Sequence, residues 1–256
     1  MVEKFMFKKL AVSLSCIVAA LCASGAVYAK PVNNIVLVHG AYADGSGWKA
    51  VSDILTKDGY QVSIVQEPET SLEDDAAATR RIIALQDGPV ILVGHSYGGI
   101  VISDAGNDQK VQGLVYVAAL MPDAGESIPS LVKSKPLATN NVIPIGNGFQ
   151  ILNPKSFAQD FAADLPPEQA AFMAKSQVPI AAKALNTSIT QAAWHSKPSW
   201  YAVATEDHKI NPDLERYMAA RAGSKTVEIK GSHAVYVSQP QAVAKLIEEA
   251  ANGSSK

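Results

Sequence analysis

The run Val90-Ile91-Leu92-Val93 leads directly into Gly94-His95-Ser96-Tyr97-Gly98-Gly99, and the helix-compatible residues Ile100, Val101, Ile102 and Ala105 follow. An apolar run closed by Gly-x-Ser-x-Gly and continued by a helical pattern reads as a strand, a sharp turn and a helix. Such a turn strains the serine backbone, and the flanking glycines let the chain pack closely enough to expose the hydroxyl above a sheet. Taken alone, Gly-x-Ser-x-Gly is equally an ordinary glycine-rich turn. The strand before it and the helix after it select Ser96 as a nucleophile.

The same alternation runs through most of the chain. Strand-like runs at 34–38, 61–65, 90–93, 111–118, 199–205 and 225–229 alternate with helix-compatible stretches near 47–58, 71–87, 97–106, 212–222 and 239–251. That order predicts an α/β fold, a mainly parallel sheet covered by helices on both faces. In the last helix Val243, Leu246, Ile247 and Ala250 fall on one face, with Lys245, Glu248 and Glu249 on the other. The alternation is interrupted between residues 121 and 197, too long for a simple crossover and therefore read as a cap inserted into one domain. The cap carries Phe149, Phe157, Phe161, Phe172, Met173 and Trp194, and a helix is expected from Pro166-Pro167. At least half of these large side chains are expected to form the cap's own core, and the rest to line an apolar pocket between cap and sheet.

Functional groups in parallel sheets gather at the carboxyl ends of strands. The first strand runs into His39-Gly40-Ala41-Tyr42, a loop whose Ala41 N–H is positioned to join the Tyr97 N–H in holding an oxyanion. As an isolated signal, His39-Gly40 is equally a simple turn. The strand at 199–205 ends on Glu206-Asp207, and the strand at 225–229 on Lys230-Gly231-Ser232-His233. Serine, then acid, then histidine is the chain order of a nucleophile-elbow hydrolase, which selects His233 as base and Asp207 as its orienting acid. Glu206 and Asp123 are the competing acids. Of the other histidines, His95 is expected to point away from the nucleophile, His208 to be a solvated loop residue, and His195 lies in a separate segment.

The first residues read as a secretory signal: Lys4, Lys8 and Lys9, an apolar stretch from Leu10 to Cys22, then small residues before a cleavage site after Ala29. The apolar core is shorter than the ~20 residues a membrane span needs. Both cysteines, Cys16 and Cys22, fall inside this segment, so an exported chain beginning at Lys30 has no disulfide. The formal net charge of −2 becomes more negative on losing those three lysines and Glu3, and the charges are dispersed, which argues against nucleic acid or an anionic membrane as partner. No histidine pair has helical zinc-motif spacing, so neither a metal nor an organic cofactor is expected. The expected partner is a small-molecule ester.

Four segments, Val36-Leu37-Val38-His39-Gly40-Ala41, Gly94-His95-Ser96-Tyr97-Gly98-Gly99, Thr205-Glu206-Asp207 and Lys230-Gly231-Ser232-His233, together resemble the α/β-hydrolase superfamily. The resemblance covers essentially all of the chain after the signal. More narrowly, it is similar to the branch of plant methylesterases, salicylate-binding esterase and hydroxynitrile lyases with their small bacterial relatives. The resemblance implies the α/β-hydrolase fold and an exported serine esterase acting through an acyl-enzyme, with catalytic Ser96, Asp207 and His233. It also implies two other outcomes of the same site: a receptor-like ligand-binding protein with little turnover, and non-hydrolytic acyl transfer such as perhydrolysis. The lyases of this branch use a threonine beside the oxyanion loop and a lysine after the histidine. Gly40 and Ala234 stand at those places, which disfavours cyanohydrin cleavage. The Ser96 nucleophile separates the chain from dehalogenases and epoxide hydrolases, which use aspartate.

Overall fold

In the computed structural model, which describes Met1 and residues 32–133 and 135–254, the apolar runs become strands β1 (Asn34–Val38), β2 (Gln61–Ile64), β3 (Val90–His95), β4 (Val111–Val117), β5 (Val142–Gly146), β6 (Phe149–Leu152), β7 (Ile180–Ala181), β8 (Ser199–Ala204) and β9 (Lys225–Ile229). The expected signal segment and its cleavage point lie, Met1 excepted, outside the described residues. Six strands form one sheet in the order β2-β1-β3-β4-β8-β9, parallel throughout. The central strands are buried along almost their whole length, whereas the edge strand β2 is mostly half-buried and the edge strand β9 largely exposed.

Side chains alternate across this sheet with a period of two. Ile35 and Leu37 join Ile91, Val93 and Val115 against Val51 and Leu55 of the helix Lys49–Lys57 and the apolar stripe of the helix Pro240–Gly253. Val36 and Val38 point the other way, into a second cluster with the helices Leu72–Leu85, Gly98–Ala105 and Pro212–Arg221. Both faces of the sheet are thus covered. The expected stripe of Val243, Leu246, Ile247 and Ala250 is buried in full.

Between β4 and β8 the chain builds a separate layer. Here β5, β6 and β7 form a small antiparallel sheet, accompanied by helices including Phe157–Phe161 and Pro167–Lys175. Pro167 occupies the first turn of its helix, where a missing N–H costs nothing. Half of the large cap side chains are buried in the core as expected, but none takes the expected place in the pocket wall. Phe157 and Phe161 stack at 4.9 Å and are buried, Trp194 donates its indole N–H to the Pro122 carbonyl, and Phe172 is exposed. None of the six cap side chains singled out in the sequence lines the substrate-sized cavity, whose apolar wall is mainly aliphatic. Phe161 is needed elsewhere, wedged beneath the candidate base His233.

Beneath the oxyanion loop lies a group of buried acids that no sequence pattern announces. Glu67, Glu69 and Asp75 are almost fully buried around His39, whose Nδ1 lies 3.8 Å from Glu67 and 3.7 Å from Glu69. The Glu67 amide donates to His39 Nε2, so the imidazole proton sits on Nδ1, and burial pushes His39 towards its neutral form. Asp75 accepts from the Glu69 amide and the Tyr97 hydroxyl, yet burial still raises it to about 6. Burial, then the Asp75 charge, pushes both glutamates well above the carboxylate range, and neither oxygen of Glu67 meets a donor among the described residues. Groups with raised folded pKa values bind more protons folded than unfolded. Their stabilisation is therefore complete below the unfolded value of ~4.3 and is lost as pH rises through the folded values. Glu67→Gln removes one such charge. It should flatten the fall of Tm above pH ~5 and raise Tm at pH 8 by a few degrees, at roughly 2–4 °C for each kcal/mol in a domain of this size. Thermal unfolding of both proteins across pH checks it.

Candidate active site

Ser96 follows β3 directly and adopts φ 54°, a left-handed conformation that costs a non-glycine residue energy. The surrounding chain fixes it there. A Cβ on Gly94 would come within 2.5 Å of the Gly98 carbonyl oxygen, so the turn closes only with glycine. The Ser96 carbonyl accepts from the amides of Gly99 and Leu120, each at 3.0 Å, and its own amide donates to Val117. Strand, elbow and following helix are thus pinned to the end of β4.

Asp207 lies just beyond β8 and His233 just beyond β9. The Thr205 amide donates to Ile229 and the Glu206 amide to Gly231, both at 3.0 Å, which binds the two loops to each other. Across the sheet end, Ser96 Oγ stands 2.8 Å from His233 Nε2, and His233 Nδ1 stands 2.6 Å from Asp207 Oδ2. Nδ1–H donates to the carboxylate, leaving the Nε2 lone pair to accept the serine proton. The other oxygen, Asp207 Oδ1, accepts from the amides of Lys209 (2.5 Å) and Ile210 (2.8 Å), which hold the carboxylate in one orientation. All three residues selected from the sequence meet in one hydrogen-bonded chain, buried except for a small opening at the serine.

The competing residues are engaged elsewhere. Glu206 is exposed and 3.6 Å from Lys230, while Asp123 pairs with His195 at 2.8 Å. His208 is exposed, with Nδ1 donating to the Gln159 carbonyl at 3.0 Å. His95 does more than turn away from Ser96. Its Nε2–H donates to the His233 carbonyl at 2.9 Å and its ring packs 4.7 Å from the His233 ring, while burial holds it well below the usual histidine range and so uncharged. A neutral neighbour supports the His233 ring without repelling a positive charge on it. Phe161 closes the other side, edge-on at 4.8 Å.

Ala41 and Tyr97 flank Ser96 at the floor of a cavity of about 370 Å³. Among the described residues neither backbone N–H donates to a protein acceptor, which fits a pair of amides reserved for an oxyanion. The wall is largely aliphatic, with Leu120, Ile128, Val132 and Leu185, and is interrupted by Gln150 and Lys209. Gln150 donates to the Tyr42 hydroxyl, tying the cap to the oxyanion loop. From the cap, Asp164 accepts from the amide and hydroxyl of Ser232, and the Phe161 carbonyl from the Ala234 amide, tying it to the histidine loop.

Sequence reasoning missed Glu215, on the helix Pro212–Arg221. One of its oxygens accepts from the Ala204 amide, and its carboxyl lies within hydrogen-bonding reach of Asp207. Burial, then the Asp207 charge, pushes Glu215 well above the carboxylate range. Protonated, it is a donor to Asp207. Its position one helical turn beyond Asn211, which caps that helix, is the sequence signal that places it behind the acid. The trio His39, Glu67 and Glu69 has ligand atoms within 4.8 Å of one another. His39 Nδ1–H donates to the Gly40 carbonyl at 3.1 Å and Nε2 accepts from the Glu67 amide, so neither ring nitrogen offers a lone pair to a cation there.

A family model described as "Alpha/beta hydrolase family" matches residues 35–246. Among curated proteins, the chain is 26% identical over 251 residues to the putative methylesterase 11 of Arabidopsis thaliana, covering 86% of this chain and 64% of that protein's length. It is 27% identical over 255 residues to the pyrethroid hydrolase of Sphingobium wenxiniae (88% and 90% covered) and 26% over 253 residues to salicylic acid-binding protein 2 of Nicotiana tabacum (86% and 97%). Among solved structures, it superposes with the pyrethroid hydrolase of Sphingobium faniae JZ-2 at a TM-score of 0.72 (23% identity, 86% and 98% covered). With polyneuridine aldehyde esterase the TM-score is 0.73 (20% identity, 85% and 98% covered). The sheet order, the cap between β4 and β8 and this match over most of the chain agree: the protein belongs to the α/β-hydrolase family.

Proposed function

We propose that this carboxylesterase cleaves small or medium esters through an acyl-enzyme formed on Ser96. The observation that carries the proposal is the unbroken chain Ser96–His233–Asp207 at the floor of the cavity. His233 Nε2 takes the hydroxyl proton as Ser96 Oγ attacks the ester carbonyl, and the amides of Ala41 and Tyr97 stabilise the oxyanion. Collapse breaks the C–O bond, and the imidazolium gives its proton to the departing alkoxide. Water then attacks the acyl-enzyme, with His233 as base, to release the acid and restore the hydroxyl. Asp207 fixes the tautomer and stabilises the imidazolium throughout.

Similarity to a methylesterase and a pyrethroid hydrolase supports ester substrates. Backbone packing supports hydrolysis over cyanohydrin cleavage, because a Cβ on Gly40 would lie 2.6 Å from the Ser96 Cβ and leaves no place for a threonine. Export, with cleavage after Ala29, belongs to the same proposal and rests on the charge and apolar pattern of the first residues.

Ser96→Ala should abolish labelling by a fluorophosphonate and lower turnover of a chromogenic butyrate ester by ~10⁴-fold or more. Labelling of a folded Ser96→Ala protein would place the nucleophile elsewhere. Asp207→Asn should favour the wrong imidazole tautomer and cost roughly 10⁴ in kcat, whereas Glu206→Gln should cost little. Steady-state kinetics on the two variants decides between the neighbouring acids. Glu215 is the positioning residue behind Asp207, and a raised carboxyl loses its donor proton as pH rises. Glu215→Gln keeps a donor at every pH and should extend activity on the alkaline side, while Glu215→Leu should lose about tenfold or more in kcat, roughly the 1.4 kcal/mol of one hydrogen bond to a charged group. The kcat–pH profiles of these two variants and the wild type are the test.

A further inference from the structure

The side chain of one lysine in the substrate cavity takes no part in the ester chemistry above. Lys209 follows the acid loop, is only 7% exposed, and lines the same cavity as Ser96, Ala41 and Tyr97. Its ammonium carries three N–H donors, yet one contact is all it makes among the described residues: the Thr139 carbonyl, at 3.3 Å. No carboxylate lies within 4.0 Å of it there. The nearest negative charges, Asp160 and Asp207, act from further away and are already engaged, Asp160 by the Asn141 amide and Asp207 by His233 and two backbone amides. Burial accordingly pushes the ammonium below the ordinary lysine range.

A structural duty does not account for the charge. The segment that Lys209 touches is already fastened by the Thr139 hydroxyl, which donates to the His208 carbonyl. A buried ammonium with a single weak partner is costly, and an aliphatic residue would fill the same wall without that cost. The cost is recovered when an anion enters the cavity. The surrounding aliphatic wall strengthens such a pairing by keeping water away.

We propose that Lys209 is the anion-binding residue of the substrate cavity, and that the preferred substrates are esters bearing a carboxylate, such as half-esters of small dicarboxylic acids. This rests on the esterase reading of Ser96. A charge-assisted hydrogen bond is worth roughly 10- to 100-fold in affinity. The preference should therefore appear in KM more than in kcat.

The test compares mono-4-nitrophenyl glutarate, which carries the charge on the acyl side, and 3-carboxyphenyl butyrate, which carries it on the alcohol side, with the methyl ester of each. Wild-type enzyme should prefer at least one carboxylate ester over its neutral partner by about 10-fold or more in kcat/KM, and added salt should reduce that ratio. Lys209→Met should bring the ratio close to one, and Lys209→Arg should keep it. Glutarate should raise the Tm of wild type and of Lys209→Arg, and leave that of Lys209→Met unmoved. Equal rates on charged and neutral esters, or a preference that survives in Lys209→Met, overturns the proposal. If Lys209→Met does not fold, the salt dependence and the glutarate shift of the wild type decide alone. Failure of fluorophosphonate labelling with no ester turnover rejects the esterase reading instead, and the glutarate shift still reports on Lys209.

Discussion

The left-handed serine at the end of β3 is the constraint around which the rest is arranged. Ser96 holds an unfavourable backbone conformation because its carbonyl is tied to Gly99 and Leu120 and its amide to Val117. Those ties depend on β4 lying next to β3, and β4 in turn sits beside β8, which carries the acid. A parallel sheet delivers every strand end to one edge, so residues far apart in sequence, 96, 207 and 233, arrive within hydrogen-bonding distance without long loops. The strain at one residue is maintained by the cohesion of the whole sheet.

Charge is handled by burial as much as by pairing. Burial favours the neutral form of His95 beside the base and of Glu215 beside the acid, and His39 gives its Nδ1 proton to the Gly40 carbonyl. Asp207 accepts from three donors, two amides and an imidazole, which hold its carboxylate in one orientation against the base. The low dielectric that makes isolated charges expensive thus biases Glu67, Glu69 and Glu215 towards their protonated forms.

The sheet was legible in the sequence because its strands are short β-branched runs separated by amphipathic helices, a contrast strong enough to locate each element within a residue or two. The serine, acid and histidine were legible because each stands where such a strand ends. The buried acids were not, since Glu67 and Glu69 follow β2 with no periodicity of their own and meet His39 only when β1 and β2 pair. The cap resisted for a similar reason. A share of its large side chains was expected in the cavity wall, but ring shape favours filling fixed gaps, and Phe161 fills the one beneath His233 while flexible aliphatic side chains take the wall. Lys209 has no local signal at all: a lysine in a polar loop looks solvated until the cap covers it.

The cap is hydrogen-bonded to three of the loops that surround Ser96: to the oxyanion loop through Gln150 and Tyr42, to the histidine loop through Asp164 and Phe161, and to the acid loop through Thr139 and His208. It is therefore not an interchangeable module. Grafting a relative's cap onto this sheet would disturb the alignment of base and oxyanion amides along with the pocket shape, so a change of substrate range by whole-cap exchange carries a penalty in rate. Drift at wall positions such as Val132 or Leu185, which make none of these hydrogen bonds, leaves the anchors in place. Diversification of such an enzyme is channelled into single substitutions along the wall, with the anchoring residues retained as a fixed frame.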